Sequence, residues 1–195
     1  MLAAGIVSAA IVAGCATTKV ETTGAAPNAP LCQASGESLS ALVLWGPAWR
    51  PDQKDVPQRE AAARQGIDDF LASSGCFTRY QVQRLAGSAA AVVPDRQELL
   101  VLAAAAESKA DRVIVITVLE LGPVLKLFGT GALVEGGTDV VLGISALDAK
   151  TGTDLADFRT HWQNGGAGVV KGTTTLPQDM SAALTAALAP GARRR

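Results

Sequence analysis

Side chains that could perform catalysis or bind a metal are scarce in this chain of 195 residues. Its one histidine is His161, and its cysteines are Cys15, Cys32 and Cys76. Nucleophilic catalysis needs a base held beside the nucleophile, and a zinc site needs about four clustered ligands. His161 lies in a stretch with the alternation of a β-strand, which favours a packed or half-exposed residue over a general base. We therefore predict no enzymatic activity, no metal and no cofactor.

A glycine-rich segment at residues 165–173 is the nearest approach to a nucleotide-binding motif. It is superficially similar to a phosphate-binding loop, but Gly172 follows Lys171, so the G-K-[ST] order is missing. We predict no nucleotide binding and interpret the segment as a mobile loop. The formal net charge of −1, with 18% charged residues, gives no overall field that would concentrate nucleic acid.

The start of the chain carries its most specific signal. An uncharged run of about a dozen residues ends just before Cys15, which suits a signal peptide and is short of the roughly 20 residues of a transmembrane helix. Val12, Ala13, Gly14 and Cys15 resemble the lipobox of bacterial lipoproteins, whose cysteine receives a lipid. The alternative is an alanine-rich tail with an accidental cysteine.

The resemblance to lipoproteins implies that residues 1–14 are a signal peptide and that Cys15 carries diacylglycerol and palmitate. In that family a residue other than aspartate after the cysteine, here Ala16, usually permits export to the outer membrane. The resemblance therefore implies an outer-membrane lipoprotein that faces the periplasm, with the membrane itself as one partner.

Two cysteines remain if Cys15 is lipidated. An exported compartment favours disulfides, so the lipoprotein resemblance implies a Cys32–Cys76 bridge. Two buried free thiols are the alternative.

The rest of the chain is long enough for one domain. Residues 15–37 are rich in Thr, Ala, Pro and Gly without hydrophobic periodicity, which predicts a lipidated N-terminus followed by a flexible tether. We assign residues 38–190 to a single periplasmic α/β domain and residues 191–195 to a basic tail.

Hydrophobic patterns in the domain predict the order β-α-β-α-β-β-β-α. The expected strands cover about residues 41–45, 77–85, 112–119, 138–147 and 154–162, with a turn at 148–152 between the last two. One helix should start near Pro57 and end before Gly75. Capping boxes, Asp95 with Glu98 and Thr175 with Gln178, should open the other two helices.

This order implies one mixed sheet of about five strands, three parallel and two forming an antiparallel pair, with helices on both faces. With the lipobox and the 148–152 turn, it resembles the small α/β domain of several envelope proteins. These are the amino-terminal domain of TolB, the curli secretion-channel lipoprotein and the lipoproteins that activate penicillin-binding proteins.

In such a sheet, the connections after strands one, three and five emerge at the carboxyl edge, where open α/β sheets bind ligands. The middle connection, residues 122–137, is unusually apolar for a loop, and exposed apolar loops mark contacts. The alternative is that it prolongs the third strand and folds back as an ordinary hairpin. The residues that we predict to bind a partner at this edge are Trp49, Arg50, Leu125, Phe128 and Asn164.

The sequence thus predicts a non-enzymatic, membrane-anchored lipoprotein whose periplasmic domain binds another envelope protein as an accessory or assembly factor. A carrier or sensor of a small apolar or envelope-derived ligand is the alternative. The sequence does not indicate an oligomeric state.

Overall fold

The computed structural model describes residues 16–27, 31, 39–87, 94–107, 109–128 and 133–189. The predicted signal peptide, Cys15, Cys32 and the basic tail lie outside these residues. The elements, in chain order, are β1 (Thr17–Ala25), β2 (Ser40–Pro47), α1 (Val56–Ser74), β3 (Arg79–Arg84), α2 (Arg96–Ala105), β4 (Arg112–Phe128), β5 (Leu133–Asp148), β6 (Asp154–Ala167), a 3₁₀ turn (Thr173–Thr175) and α3 (Leu176–Leu188).

The strands form one mixed sheet in the order β1-β6-β5-β4-β2-β3. β2 pairs in parallel with both β3 and β4, whereas the β4–β5, β5–β6 and β1–β6 pairs are antiparallel. The predicted α/β class and single mixed sheet are confirmed, with six strands in the described part of the chain.

Helices cover both faces of the sheet, as expected. On one face α1 and α3 enclose the larger core, and Gly66 of α1 lies so close to α3 that a Cβ there would be 2.5 Å from the Cβ of Met180. On the other face α2 covers a smaller cluster built on Leu42, Leu44 and Val115. All of β2 is buried because it is covered on both faces, which is why its sequence is continuously apolar.

Of the three helix caps predicted at Gly75, Asp95 and Thr175, two are present in the structure. Asp95 accepts a hydrogen bond from the main-chain N–H of Glu98 at 2.8 Å, and Gly75 ends α1 with a φ of 65°. The capping box predicted for α3 is wrong. Thr175 makes no cap bond, because the preceding 3₁₀ turn leaves it in a helical conformation instead of the extended one that a cap needs.

The flexible tether predicted for residues 15–37 is wrong for Thr17–Ala25, which form β1. This strand pairs along its whole length with Asp157–Gly165 of β6. All nine of its residues are exposed, so it has no apolar alternation that a sequence pattern could reveal. Its place in the sheet depends on main-chain pairing with a strand about 140 residues away along the chain.

The described residues of the apolar segment 122–137 pair as the two arms of a hairpin, which was the alternative left open by the sequence. β4 continues to Phe128, β5 starts at Leu133, and the two stay paired to that point. The mobile loop expected after β6 is also shorter than predicted. Residues 164–167 continue β6 and pair with β5, so that their main-chain groups are satisfied in the sheet.

Candidate interaction surfaces

The connection that follows β2 at the carboxyl edge of the sheet is held by two arginines that contact the same carboxylate. Arg50, whose side chain is 65% exposed, lies 3.3 Å from the Oε2 atom of Glu120. Arg59 of α1 lies 3.3 Å from Oε1 of the same carboxylate and also donates to the main-chain oxygen of Leu121. Because Arg59 is buried, it is a structural cation that ties α1 to β4, and only Arg50 is presented to solvent.

Trp49, which precedes Arg50, is partly buried and packs against the larger core. Its indole Nε1 atom is buried and has no hydrogen-bond partner among the described residues. Trp49 therefore contributes mainly to packing in this structure.

The second connection is the β4–β5 hairpin, which continues past the end of β2. Leu125 and Leu127 are 58% and 66% exposed, with Lys126 between them. Phe128 ends the strand, and its side chain is outside what the structure describes. Val170 is 76% exposed in the loop that leads to α3, and this loop contacts the hairpin where the Gly168 N–H donates to the Val134 oxygen at 2.8 Å. Three of the six large hydrophobic residues that are exposed in the described part of the chain thus lie on the hairpin or in the adjacent loop, and the other three are Val20, Tyr80 and Val101.

Asn164 lies on β6, two strands away from β4 in the sheet, and its side-chain amide donates to Thr18 Oγ1 at 2.9 Å. It borders a shallow groove of about 60 Å³ that is floored by glycines, among them Gly137 and Gly165. Ligand sites usually measure roughly 300–1,000 Å³. The groove therefore gives no support to the ligand-carrier alternative.

The glycines of this groove allow two strands to approach closely. Gly137 and Gly165 are cross-strand partners, and a Cβ on either would lie 2.7 Å from the Cα of the other. Gly165, at the start of the glycine-rich segment, thus serves the packing of β6 against β5.

A buried ion pair under the N-terminal end of α3 was not anticipated from the sequence. The Lys171 ammonium lies 2.7 Å from Asp179 Oδ1, and Thr138 donates to Oδ2 of the same carboxylate at 2.7 Å. Lys171 also lies 5.9 Å from the centre of the Trp162 ring. No local pattern joins these residues, because they come from a loop, a helix and two strands.

His161 lies on β6 with its Nε2 atom 3.7 Å from Oδ2 of Asp139, beyond hydrogen-bond distance. Gln163, the next residue on the same face, donates to Oδ1 of this carboxylate at 3.0 Å. Within the described ranges, no group of three or more His, Cys, Asp or Glu side chains could hold a metal ion.

A second polar cluster lies at the opposite edge of the sheet. Asp111 accepts hydrogen bonds from the N–H and hydroxyl of Ser40 at 2.9 and 2.8 Å and contacts Lys150 at 2.7 Å. These bonds, that from Lys150 first, lower the pKa of Asp111 well below its usual range. The pKa of Asp148, in the 148–152 turn, is lowered chiefly by the main-chain N–H of Thr151. The cluster anchors the turn and has the character of a structural site.

Four of the five predicted partner-binding residues, all except Phe128, have described side chains, and these four make different contacts. Arg50 is engaged with Glu120, Leu125 is on the hairpin, and Asn164 bonds to β1. The predicted partner surface remains a prediction. So does the disulfide, because Cys32 lies outside the described residues, although Cys76 is buried beside the larger core.

None of the helices in the described part of the chain is long and apolar enough to cross a membrane. No family model matches this chain, and no curated protein matches it either. Solved structures with a similar fold include a PelC dodecamer from Paraburkholderia phytofirmans, at 14% identity and a TM-score of 0.44, covering 91% of this chain and 100% of that one.

Two further solved structures show a comparable likeness. The lipoprotein GNA1162 from Neisseria meningitidis is 16% identical with a TM-score of 0.43, covering 75% of this chain and 96% of that one. A neuraminyllactose-binding hemagglutinin homologue from Helicobacter pylori is 12% identical with a TM-score of 0.35, covering 80% and 82%.

Proposed function

We propose that this protein is a non-enzymatic lipoprotein, anchored to the outer membrane through Cys15, whose domain binds another envelope protein close to the membrane. The observation that carries the proposal is β1, an exposed edge strand that starts two residues after the cysteine of the lipobox. The partner adds a strand to the free edge of β1.

An edge strand has a row of main-chain N–H and C=O groups that can pair with another chain. β1 is nine residues long, contains no proline, and keeps an unbroken register with β6. No described strand lies beyond it in the sheet. Natural proteins commonly shorten, bulge or cover such edges, and peptide partners commonly bind by adding a strand to one.

The side chains of β1 favour a partner over a role in the core. All of them are exposed, so burial contributes little to holding the strand in place. Side-chain bonds at one end, from Thr17 to the Gly165 oxygen at 3.3 Å and from Asn164 to Thr18, help to keep it on β6. β1 thus offers main-chain groups for pairing and directly follows the predicted lipid anchor. Both features favour docking of a partner near the membrane.

Site-specific photo-cross-linking in intact envelopes tests this proposal. A photoreactive side chain replaces Val20 of β1, which is 45% exposed, and in a matched control it replaces Val101 of α2, which is 58% exposed. We expect position 20, and not position 101, to yield a product with another envelope protein, and we expect Cys15→Ala to abolish it. Mass spectrometry identifies the product and the lipid on Cys15.

Identical products from both positions would contradict docking on β1. Products that contain only a second copy of this chain would contradict the assignment of a different envelope protein as partner. An unmodified Cys15 would overturn the anchor.

A further inference from the structure

The start of β1 and the base of the apolar hairpin lie at the same end of the sheet. Thr17 pairs with Gly165, Gly165 pairs with Gly137, and Gly137 pairs with Val124, so these four residues form one row across β1, β6, β5 and β4. Neighbouring strands are about 4.8 Å apart, which places Thr17 about 14 Å from Val124.

β1 begins at the end of the sheet toward which the hairpin projects. β4 runs antiparallel to β5 and β5 runs antiparallel to β6, so β4 and β6 point the same way, whereas β1 runs against β6. Cys15 precedes Thr17 by two residues, which is at most about 7 Å of extended chain. The diacylglycerol that the proposed function places on Cys15 would therefore hold this end of the sheet against the bilayer.

The hairpin extends beyond that row, at the end of the sheet where β1 begins. β4 continues for four residues after Val124, which at about 3.3 Å per residue is about 13 Å. Leu125 and Leu127 are exposed on this extension, and Val170 is exposed in the nearby loop. The backbone oxygen of Val169 and the side chain of Leu125 both approach Gly136, which brings loop and hairpin together.

Charge at the hairpin is balanced. Lys126 is the cross-strand partner of Glu135, so basic and acidic side chains face each other on the extension. The hairpin therefore carries little net charge that anionic lipid could attract. Apolar side chains next to a bilayer are instead stabilised by burial at the boundary between headgroups and acyl chains.

We propose that the β4–β5 hairpin dips into the leaflet that holds the Cys15 lipid, with Leu125, Leu127 and Val170 in contact with phospholipid. The inference rests on the lipid anchor of the proposed function. The hairpin then acts as a second, non-covalent membrane contact, which sets the orientation of the domain and leaves the lateral edge of β1 open to a protein partner.

Depth-dependent fluorescence quenching of the full-length lipidated protein in phosphatidylcholine vesicles tests the inference. An environment-sensitive label is attached to Leu125→Cys and, as a control, to Val101→Cys, because both native side chains are 58% exposed. Val101 adjoins Leu100, which approaches Gly152 in the turn at the opposite end of the sheet. The unsubstituted chain, treated in parallel, gives the labelling background.

A lipid that carries a nitroxide near the headgroup should quench the label at position 125 at least twofold and leave position 101 unchanged. Equal quenching at both positions, or none at 125, would overturn the inference if mass spectrometry shows diacylglycerol on Cys15. An unlipidated Cys15 would contradict the proposed function itself and would remove the basis of the inference. The failures of the two proposals are thus distinguishable.

Discussion

Lys171 and Asp179 form an ion pair in which both side chains are largely withdrawn from solvent, with 16% and 9% of their surfaces exposed. The ammonium and the carboxylate oxygen are 2.7 Å apart. Removing one partner of a buried pair leaves the other charge without compensation. This pair fastens the loop after β6 to α3.

We expect Lys171→Ala to lower the free energy of unfolding by about 3 kcal/mol, because Asp179 would stay buried without its cation. Arg64→Ala is the matched control. It breaks an exposed pair with Asp68 whose side chains are 46% and 44% exposed, and it should cost at most about 0.5 kcal/mol. Urea unfolding measures the free energy of unfolding of both variants. Equal losses would contradict the prediction that the Lys171–Asp179 ion pair contributes more to stability than an exposed pair.

Gly137→Ala should destabilise the sheet by about 3 kcal/mol, because the new Cβ would meet the Cα of Gly165 at 2.7 Å and neither backbone can yield easily. Gly172→Ala is the control, since no atom lies within 4 Å of a Cβ at that position. Thermal unfolding followed by circular dichroism compares the two. A Gly137→Ala protein as stable as the control would refute the close approach of β5 and β6.

Stability should depend on pH through Asp111. Its pKa is lower in the folded protein than its usual value of 3.8, so its contribution to stability is present above that value and is lost as the pH falls through and below it. Asp111→Asn should therefore flatten the decline in unfolding free energy between about pH 5 and pH 3. Urea unfolding across this range tests it, and an unchanged slope would disprove it.

Lys150→Ala separates the contribution of Lys150 to the lowered pKa of Asp111 from that of the hydrogen bonds from Ser40. The Lys150 side chain is 76% exposed, so water and salt screen its interaction with Asp111. We expect this variant to keep much of the pH dependence, because both hydrogen bonds from Ser40 remain.

The Cys32–Cys76 bridge is a prediction that thiol chemistry can test. A native disulfide across a loop of this length stabilises a domain by about 2–4 kcal/mol, so reduction should lower the melting temperature. Alkylation of the unfolded, unreduced protein should modify neither cysteine. Two alkylated residues would refute the bridge.

Several elements could be predicted because local residues determine them. Asp95 with Glu98 opens α2, and Gly75, in a left-handed conformation, closes α1. The continuously apolar residues of β2 indicated a strand covered on both faces, because no exposed position interrupts them. These features depend on contacts within a few residues or on burial of a whole element.

The candidate surfaces were harder to predict. Leu125 and Asn164 were singled out from the expected topology, and both lie toward the expected end of the sheet, yet they contact different neighbours. The buried pair of Lys171 and Asp179 left no local signal, because its environment also requires Thr138 and Trp162 from distant strands.

By itself, the sequence determined the alternation of strands and helices, the mixed sheet and two of the three predicted helix caps, since each follows from periodicity or capping chemistry. Only the tertiary structure decided that Thr17–Ala25 form a strand and that residues 122–128 and 133–137 pair as the arms of a hairpin. Both depend on main-chain hydrogen bonds to a partner strand. Such bonds are open to almost any residue, so they leave little trace in the side chains.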